Sequence, residues 1–307
     1  MPLVSVIIPN YNHAHFLEQR FQSVLNQTFE DFEVIVLDDC STDNSPKIIE
    51  RYKDHPLVSQ VVLNDTNSGS TFSQWVKGIS LAVGTWVWIA ESDDWCEPFF
   101  LQTLVDGLQA HASCVIGYCQ SYCIVEGNQI KWRSEYPLLS DVRKGTDFVE
   151  KHMLYGNAIF NASMVVWKRE AFSRISQEFM NYRLCGDWLF WIELCMQGDV
   201  FISGKLLNYF RKHGKDVSSP AYANGLNFDE ELQIAGSIYA RGIVDTAIYM
   251  RMLKNKFLEY KLSPYLFSSD RTAAIENSFF SSPQVKKKLQ GFYYTWKIKH
   301  TVRGWFT

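Results

Sequence analysis

The chain has 307 residues, of which 47% are apolar and 21% charged, a composition that excludes a disordered protein. Its net charge of −3 gives no overall field that would favour nucleic acid. The longest apolar stretch, residues 82–90, is far shorter than the roughly 20 residues that a membrane-spanning helix needs. The length suits one large α/β domain with an appendage, or two small domains.

The first third of the chain alternates predicted strands and helices. The strands are expected at 4–8, 33–37, 58–63 and 85–90, and the helices at 15–25, 45–52, from residues 67–70 to about 81, and from Pro98 to about 110. Helices of this length between strands imply βαβ crossovers and a mostly parallel sheet. Ligands of such sheets bind at the carboxyl ends of the strands.

The remainder of the chain is less regular. Strands are expected at 114–125, 163–167, 200–202 and 206–210, a helix at 187–196, and helical structure from 224 to 260. Seven cysteines are present, an odd number with no CxxC spacing, and the first residues do not have the features of a signal peptide. We therefore expect a reduced, cytoplasmic compartment.

Three polar segments fall at predicted strand ends: residues 9–12, Asp38–Asp39 and residues 92–94. Because they share one edge of the sheet, we expect them to lie together. Asp93 and Asp94, with Glu91 before them, repel one another unless a cation or donor compensates, and a hard divalent ion is one such compensator. The alternative for Asp94 is an N-cap of the following helix.

Asp39 has two interpretations as well. Its carboxylate could accept a hydrogen bond from the N–H of a base or from a ribose hydroxyl. The alternative is an N-cap of the helix that follows, a position that Ser41 or Asp43 fits better.

Several motifs together resemble family 2 of the glycosyltransferases, which have the GT-A fold. The matching segments are residues 4–12, 23–29, 33–43, 67–69, 84–86 and 91–94, followed by the weaker motifs at 186–188 and 211–214. They occur in the order and spacing expected of the family, and the resemblance covers about residues 1 to 220. The resemblance implies a GT-A domain at 1–222, with a Rossmann-like, mostly parallel sheet flanked by helices, and a helical C-terminal extension at 223–307. The nucleotide-binding part would cover about 1–112 and the acceptor part 113–222.

The resemblance also implies roles for individual residues. Residues that match nucleotide-sugar-binding positions are Pro9, Tyr11, Asn12, Asp39, Lys77, Glu91 and Asp93. Tyr11 would flank the base and Asp39 would accept from it. Asp93 and Asp94 match the DxD element, in which one aspartate would hold the ribose and the other the divalent ion, Mn²⁺ or Mg²⁺, and which of them does which stays open. His213 would complete the metal shell or bind the diphosphate, and the alternative is a histidine of a surface loop.

Asp187 matches the catalytic base of the family. Inversion requires the acceptor hydroxyl to attack from the face opposite the diphosphate, and a nearby carboxylate takes its proton. The alternative for Asp187 is an N-cap of a helix that begins at Trp188. Trp95, directly after the carboxylates, is the aromatic residue that we expect to face the acceptor sugar.

The predicted function is inverting transfer of a sugar from a nucleotide-diphosphate sugar, most commonly a UDP-sugar in the family, to an acceptor hydroxyl in surface polysaccharide synthesis. The acceptor would be a glycan or a lipid-linked saccharide. Two alternatives remain: a nucleotide-sugar-binding protein without turnover, and a sugar nucleotidyltransferase, which would need a glycine- and lysine-rich loop after the first strand. A dinucleotide dehydrogenase would need GxGxxG there, which is absent.

Residues 277–307 contain no acidic side chain, and lysines alternate with aromatic residues from Lys286 to Phe306. This pattern suits peripheral contact with the inner face of the cytoplasmic membrane. The alternative is a helical appendage whose aromatic residues pack on the GT-A core.

Overall fold

The computed structural model describes residues 1–213 and 218–303. Gly214 of the last motif and Phe306 of the tail lie outside the described residues. The chain divides into two compact units, the first formed by Met1–His213 and the second by the remainder. The sequence placed the change of architecture at residue 222, inside the second unit.

The first unit is built on one ten-stranded sheet. Its strands are β1 (Val4–Asn10), β2 (Phe32–Asp38), β3 (Val58–Leu63), β4 (Trp86–Ile89), β5 (Trp95–Cys96), β6 (Cys114–Val125), β7 (Gln129–Arg133), β8 (Ser140–Arg143), β9 (Val165–Lys168) and β10 (Asp199–Arg211). Its helices are α1 (Ala14–Leu25), α2 (Ser45–Tyr52), α3 (Thr71–Leu81), α4 (Phe100–Ala110), α5 (Gly145–Phe148) and α6 (Gly186–Cys195).

The strand order is β3-β2-β1-β4-β9-β6-β10-β5, with β7 on β6 and β8 on β10. The first four strands of this order run parallel, as do β6 and β10, and β9 runs antiparallel between β4 and β6. Every residue of β1 and β2 is buried, as expected of central strands whose two faces are covered by helices. The mostly parallel α/β sheet with flanking helices is therefore confirmed.

The strand order reverses beside β1, which lies between β2 and β4. Asn10 pairs with Asp38 in the register of β1 and β2, and Ile7 pairs with Ile89 in that of β1 and β4. The polar segments that follow these strands therefore leave the same edge of the sheet. In open α/β sheets this reversal point is where a ligand-binding crevice forms.

Two local predictions were wrong. Residues 199–211 form one strand rather than two, because β6 is a parallel partner on both sides of a register shift between Ile202 and Leu206. Pro98 precedes α4 instead of lying in its first turn. The carbonyl oxygen of Pro98 accepts a hydrogen bond from the backbone N–H of Thr28, so a contact with another part of the chain holds this turn outside the helix.

The second unit is helical, which confirms the predicted C-terminal extension. Its described helices are α7 (Ser218–Ala223), α8 (Leu226–Ala240), α9 (Thr246–Lys261), α10 (Ser269–Phe279) and α11 (Pro283–Arg303). Its core includes Phe228, Phe257, Ile275 and Leu289. Because Leu289 is fully buried in this core, α11 packs against other helices of its own unit. Packing of the tail's aromatic residues on the GT-A core stays a prediction, as does membrane contact. Among the residues described, no helix is both long and apolar enough to cross a membrane.

Candidate active site

Asn12 ties the loop after β1 to the loop after β2. Its backbone is left-handed, with φ of 56°, a conformation that asparagine adopts more readily than most residues. There the Asn12 backbone N–H donates to Ser41 Oγ at 2.8 Å, and Asn12 Oδ1 accepts from the Thr42 N–H at 2.7 Å. His13 Nδ1 lies 2.9 Å from Ser92 Oγ, in the segment after β4. The loop after β1 is thus hydrogen-bonded both to the loop after β2 and to the segment after β4, and it brings the three polar regions together.

The carboxylate of Asp38 faces the interior of the protein. Its Oδ1 accepts from Asn10 Nδ2 at 2.7 Å and its Oδ2 accepts from the Ser41 N–H at 2.9 Å. Asp38 and Asn10 are both buried, so this carboxylate stabilises the end of the sheet rather than facing a ligand.

Asp39 holds the loop that precedes α3. Its Oδ1 accepts from Asn64 Nδ2 at 2.7 Å and from Gln74 Nε2 at 2.8 Å. Both of its oxygens lie within 3.1 Å of the Ser68 N–H, and Ser68 Oγ donates to Oδ2 at 2.8 Å. Neutral protein donors therefore surround the carboxylate that the resemblance assigned to the base, and its contact with a nucleotide stays a prediction.

A cavity of about 420 Å³ adjoins this loop, lined by residues that include Asn64, Ser68, Gln74 and Lys77. Lys77 Nζ donates to Asn64 Oδ1, so the predicted phosphate-facing lysine is anchored on the same wall. Of the other two residues predicted to bind nucleoside, Pro9 is buried within β1, while Tyr11 is 46% exposed.

Glu91 follows β4 and is held by α3 and α1. Its Oε1 accepts from Trp75 Nε1 at 2.8 Å, and its carbonyl oxygen accepts from Arg20 Nε at 2.8 Å. Burial, and then the charge of Asp93, raises the pKa of Glu91 to about 8, although the hydrogen bond from Trp75 opposes this shift. Arg20 is fully buried, and its guanidinium also donates to Ser163 Oγ at 3.1 Å.

Asp94 is 2% exposed and its carboxylate faces the interior. Its Oδ2 accepts from Asn161 Nδ2 and its Oδ1 accepts from the Arg211 backbone N–H at 2.9 Å. Burial, followed by the charge of Asp93, raises its pKa to about 7. The alternative reading of Asp94 as a helix cap is wrong, since its carboxylate binds β10 and the loop before β9. Its predicted role as a metal ligand stays a prediction.

Asp93 meets two histidines. Its Oδ2 lies 3.0 Å from His213 Nε2, and one possible ligand atom from each of Asp93, His213 and His13 lies within 4.8 Å of the other two. Burial alone would raise the pKa of Asp93, but the hydrogen bond from His213 and the charges of both histidines lower it. The carboxylate is therefore ionised at neutral pH. Two imidazoles and a carboxylate form a donor set that fits a divalent transition ion.

Trp95 is stacked into the same region. Its ring lies parallel to that of Tyr209, with centroids 4.7 Å apart, and the Arg211 guanidinium lies 4.5 Å from its centroid. Arg211 also lies 4.3 Å from the Phe16 ring and donates to the Asp93 carbonyl at 2.8 Å. These contacts fix Trp95 beside the Asp93 segment, and its contact with an acceptor sugar stays a prediction.

Asp187 lies in the first turn of α6 and is half-buried. The helix begins at Gly186 and not at Trp188, so Asp187 is inside the helix and is not its N-cap. A Cβ at position 186 would lie 2.2 Å from the Phe179 carbonyl oxygen, so only glycine allows this close approach. Further along α6, Trp191 packs on Trp75, with ring centroids 5.8 Å apart. Because Trp75 also donates a hydrogen bond to Glu91, its side chain links α6 to the acidic segment after β4, residues 91–94.

The sequence patterns predict no functional role for three residues that the structure places in this region: His13, Arg20 and Arg211. A histidine directly after a predicted ligand-binding segment was a usable signal for His13. An arginine among the apolar positions of α1 was a signal for Arg20, because a buried arginine needs partners. Arg211 lay within a quoted motif, yet its contacts with Asp93 and Asp94 depend on β10 returning to the sheet edge.

Comparison with known proteins identifies the family to which this chain belongs. A model described as Glycosyl transferase family 2 matches residues 5–175, which is more than half of the chain. An uncharacterized glycosyltransferase of Haemophilus influenzae is 27% identical over 270 residues, 85% of this chain and 99% of that protein. The putative teichuronic acid biosynthesis glycosyltransferase TuaG of Bacillus subtilis is 39% identical over 93 residues, 30% of this chain and 36% of its own.

Solved structures agree with the fold. S. aureus TarS 1–349 in complex with UDP-GlcNAc gives a TM-score of 0.67 at 19% identity, covering 95% of this chain and 79% of that one. The mannosyltransferase PcManGT of Pyrobaculum calidifontis, in complex with GDP-Man and Mn²⁺, gives a TM-score of 0.55 at 17% identity. That match covers 97% of this chain and 86% of the other. At these identities the structures support the GT-A fold alone. With the family match, they lead to the conclusion that this chain is a glycosyltransferase and belongs to glycosyl transferase family 2.

Proposed function

We propose that this enzyme transfers a hexose-type sugar from a UDP-sugar to an acceptor hydroxyl with inversion of the anomeric centre. The observation that carries the proposal is the hydrogen-bonded meeting of three loops at the reversal point of the sheet, with Asp93 and two histidines beside it. The S. aureus TarS structure with UDP-GlcNAc supports the choice of a uridine donor, although the PcManGT complex contains GDP-Man.

The donor nucleoside would lie near the loop that Asp39 organises. The exposed ring of Tyr11 offers a surface on which a base can stack, and the neighbouring cavity carries amide and hydroxyl groups. Asn12 and Glu91 would act by holding the loops that surround the donor, since both are bonded to protein groups there.

The diphosphate would lie over Asp93. A divalent ion, Mn²⁺ or Mg²⁺, bound there with His213 would supply positive charge to the leaving diphosphate. The residues of the chain fit such an ion because the carboxylate is ionised and an imidazole lies 3.0 Å from it. Asp94 would join the ion only by giving up its contacts with Asn161 and Arg211.

Asp187 would act as the base. As the acceptor oxygen bonds to the anomeric carbon, the bond from that carbon to the diphosphate oxygen breaks and the hydroxyl proton moves to the Asp187 carboxylate. Its position in the first turn of α6 stabilises the ionised form, because the helix N-terminus carries partial positive charge.

The acceptor would be a glycan or a lipid-linked saccharide in surface polysaccharide synthesis. The relative TuaG, by its name a teichuronic acid enzyme, supports this class of product. A cytoplasmic location and peripheral membrane contact through α11 remain predictions. The lysines of that helix and its exposed residues Tyr294 and Ile298 suit such a contact.

The test is Asp187→Asn, which keeps the shape of the side chain and removes its basicity. We expect release of UDP from a panel of UDP-sugars, with short oligosaccharides as acceptors, to fall about 10²–10⁴-fold, the usual contribution of a general base. Calorimetry should show unchanged binding of UDP. The matched control is Asp147→Asn, an exposed aspartate in the first turn of α5, which should keep full activity.

The outcomes separate the alternatives. Release of UDP at the same rate in Asp187→Asn and the parent protein would refute the assigned base. Tight binding of a UDP-sugar with no release by the parent protein, across the whole panel, would favour a binding protein without turnover. Release of pyrophosphate from a nucleoside triphosphate and a sugar phosphate would favour a nucleotidyltransferase.

A further inference from the structure

We propose that His13 is a third protein ligand, so that the metal site of this enzyme consists of His13, Asp93 and His213 and prefers Mn²⁺ and later first-row ions to Mg²⁺. This inference deepens the proposed function, since it concerns the ion beneath the donor diphosphate. The metal-binding site itself can be tested without any donor.

The donor atoms are close enough for one ion. Two donors that each lie about 2.1 Å from an ion, at a right angle, stand ~3 Å apart. His213 Nε2 and Asp93 Oδ2 are 3.0 Å apart, and one possible ligand atom of each of the three residues lies within 4.8 Å of the other two. Small side-chain rotations would bring the third donor, from His13, to the same ion.

The two imidazoles are held in different ways. Ser92 Oγ lies 2.9 Å from His13 Nδ1, and Ser92 is only 1% exposed, so a rigid neighbour orients the ring and assigns Nε2 as the ligand atom. The His213 ring packs on Phe16, with centroids 4.9 Å apart. The two imidazole rings stand 87° apart, with centroids 5.4 Å from each other. They approach the Asp93 carboxylate from two separate chain segments.

The donor set decides the choice of ion. Mg²⁺ prefers oxygen ligands and keeps several waters, whereas imidazole nitrogen suits transition ions. A site with two nitrogens and one oxygen therefore binds Mn²⁺ more tightly than Mg²⁺, and Co²⁺ more tightly than Mn²⁺. The second aspartate of the pair does not restore an oxygen-rich site, because Asp94 is buried and accepts hydrogen bonds from Asn161 and Arg211.

The experiment uses the full chain, purified without a polyhistidine tag and stripped of metal, in the absence of nucleotide. Calorimetric titration should give an affinity for Mn²⁺ at least ~10-fold above that for Mg²⁺, and Co²⁺ should develop visible absorption bands of a nitrogen-containing site. His13→Ala should lower the affinity for Mn²⁺ by ~10-fold or more and bring the two affinities closer. His13→Asn provides a second variant, which retains a polar group beside Ser92.

The control is His15→Ala, since His15 is exposed and lies two positions away at the start of α1. It should bind Mn²⁺ as the parent protein does. Equal affinities of the parent for Mn²⁺ and Mg²⁺, or unchanged Mn²⁺ binding in both His13 variants, would overturn the proposal. Those results would leave the dependence of UDP release on Asp187 intact, so this inference and the proposed function can fail separately.

Discussion

The two adjacent aspartate pairs of this enzyme look alike in the sequence and have different partners. Asp38–Asp39 lies at the end of β2 and Asp93–Asp94 comes after β4, and these strands are the two neighbours of β1. In the first pair both carboxylates accept from neutral amide, hydroxyl or backbone donors. In the second pair Asp94 accepts from an amide and a backbone donor, while Asp93 faces two imidazoles.

The difference lies in the partners and not in the carboxylates. Neutral donors bind Asp38, Asp39 and Asp94, and we propose that these three carboxylates hold the sheet edge together. The nucleotide contact of Asp39 and the metal contact of Asp94 stay predictions. Asp93 is the member of the two pairs that combines an ionised carboxylate with neighbouring metal-ligand side chains. Three measurements, of transfer rate, of stability and of its pH dependence, can break or sharpen this contrast.

The largest effect is expected from Asp93→Asn, which preserves the shape of the side chain but removes the charge. Losing the charge that stabilises the leaving group raises the activation free energy by several kcal/mol, so the rate of transfer should fall on the order of 10²–10³-fold. The rate of UDP release at saturating donor measures this effect, with circular dichroism as the check of folding. A rate within a few-fold of the parent protein would place Asp93 with the three scaffold aspartates.

The next effect concerns stability, measured by urea denaturation of metal-free protein. Asp94→Ala leaves two buried donors, on Asn161 and Arg211, without an acceptor, whereas Asp39→Ala does so for the buried amide of Gln74. At about 1–3 kcal/mol per group, we expect the free energy of unfolding to fall by roughly 2–5 kcal/mol for Asp94→Ala and by roughly 1–3 kcal/mol for Asp39→Ala. Asp93→Ala, at a partly exposed site, should cost less than either. The reverse ranking would contradict the division into scaffold and ligand carboxylates.

The smallest effect is a change in pH dependence. The native pKa of Asp94 is raised from 3.8 to about 7, so between these values the native state holds a proton that the unfolded chain releases. Its contribution to stability is therefore present at low pH and is lost as pH rises through this window, by at most ~1.4 kcal/mol per pH unit. The lowered pKa of Asp93 has the opposite sign, with stability lost as pH falls below about 4.

Asp94→Asn cannot ionise, so its unfolding free energy should decline less between pH 5 and 7 than that of the parent protein. Part of the decline should remain, because Glu91 also has a raised pKa. Parallel curves for the two proteins would show that the ionisation of Asp94 is not linked to folding.

The sequence by itself determined the α/β class, the order of the elements and the edge of the sheet at which the polar segments meet. These follow from local information: β-branched runs give buried strands, and polar turns end them. The predicted limits of α2, β3 and β6 match the structure for the same reason. The division of β10 into two strands failed because only its pairing with β6 shows that the interruption is a register shift.

Only the tertiary structure decided which of two adjacent carboxylates faces the two histidines. Asp94 is satisfied by Asn161 and Arg211, which are 67 and 117 residues away along the chain. His13 and His213 reach Asp93 from equally separate segments. Asp93 and Asp94 lie in a turn after β4, which a hydrogen bond from the Asp94 N–H to the Glu91 carbonyl oxygen closes, and long-range packing determines which of the two carboxylates is interior. No pattern of adjacent residues contains that information.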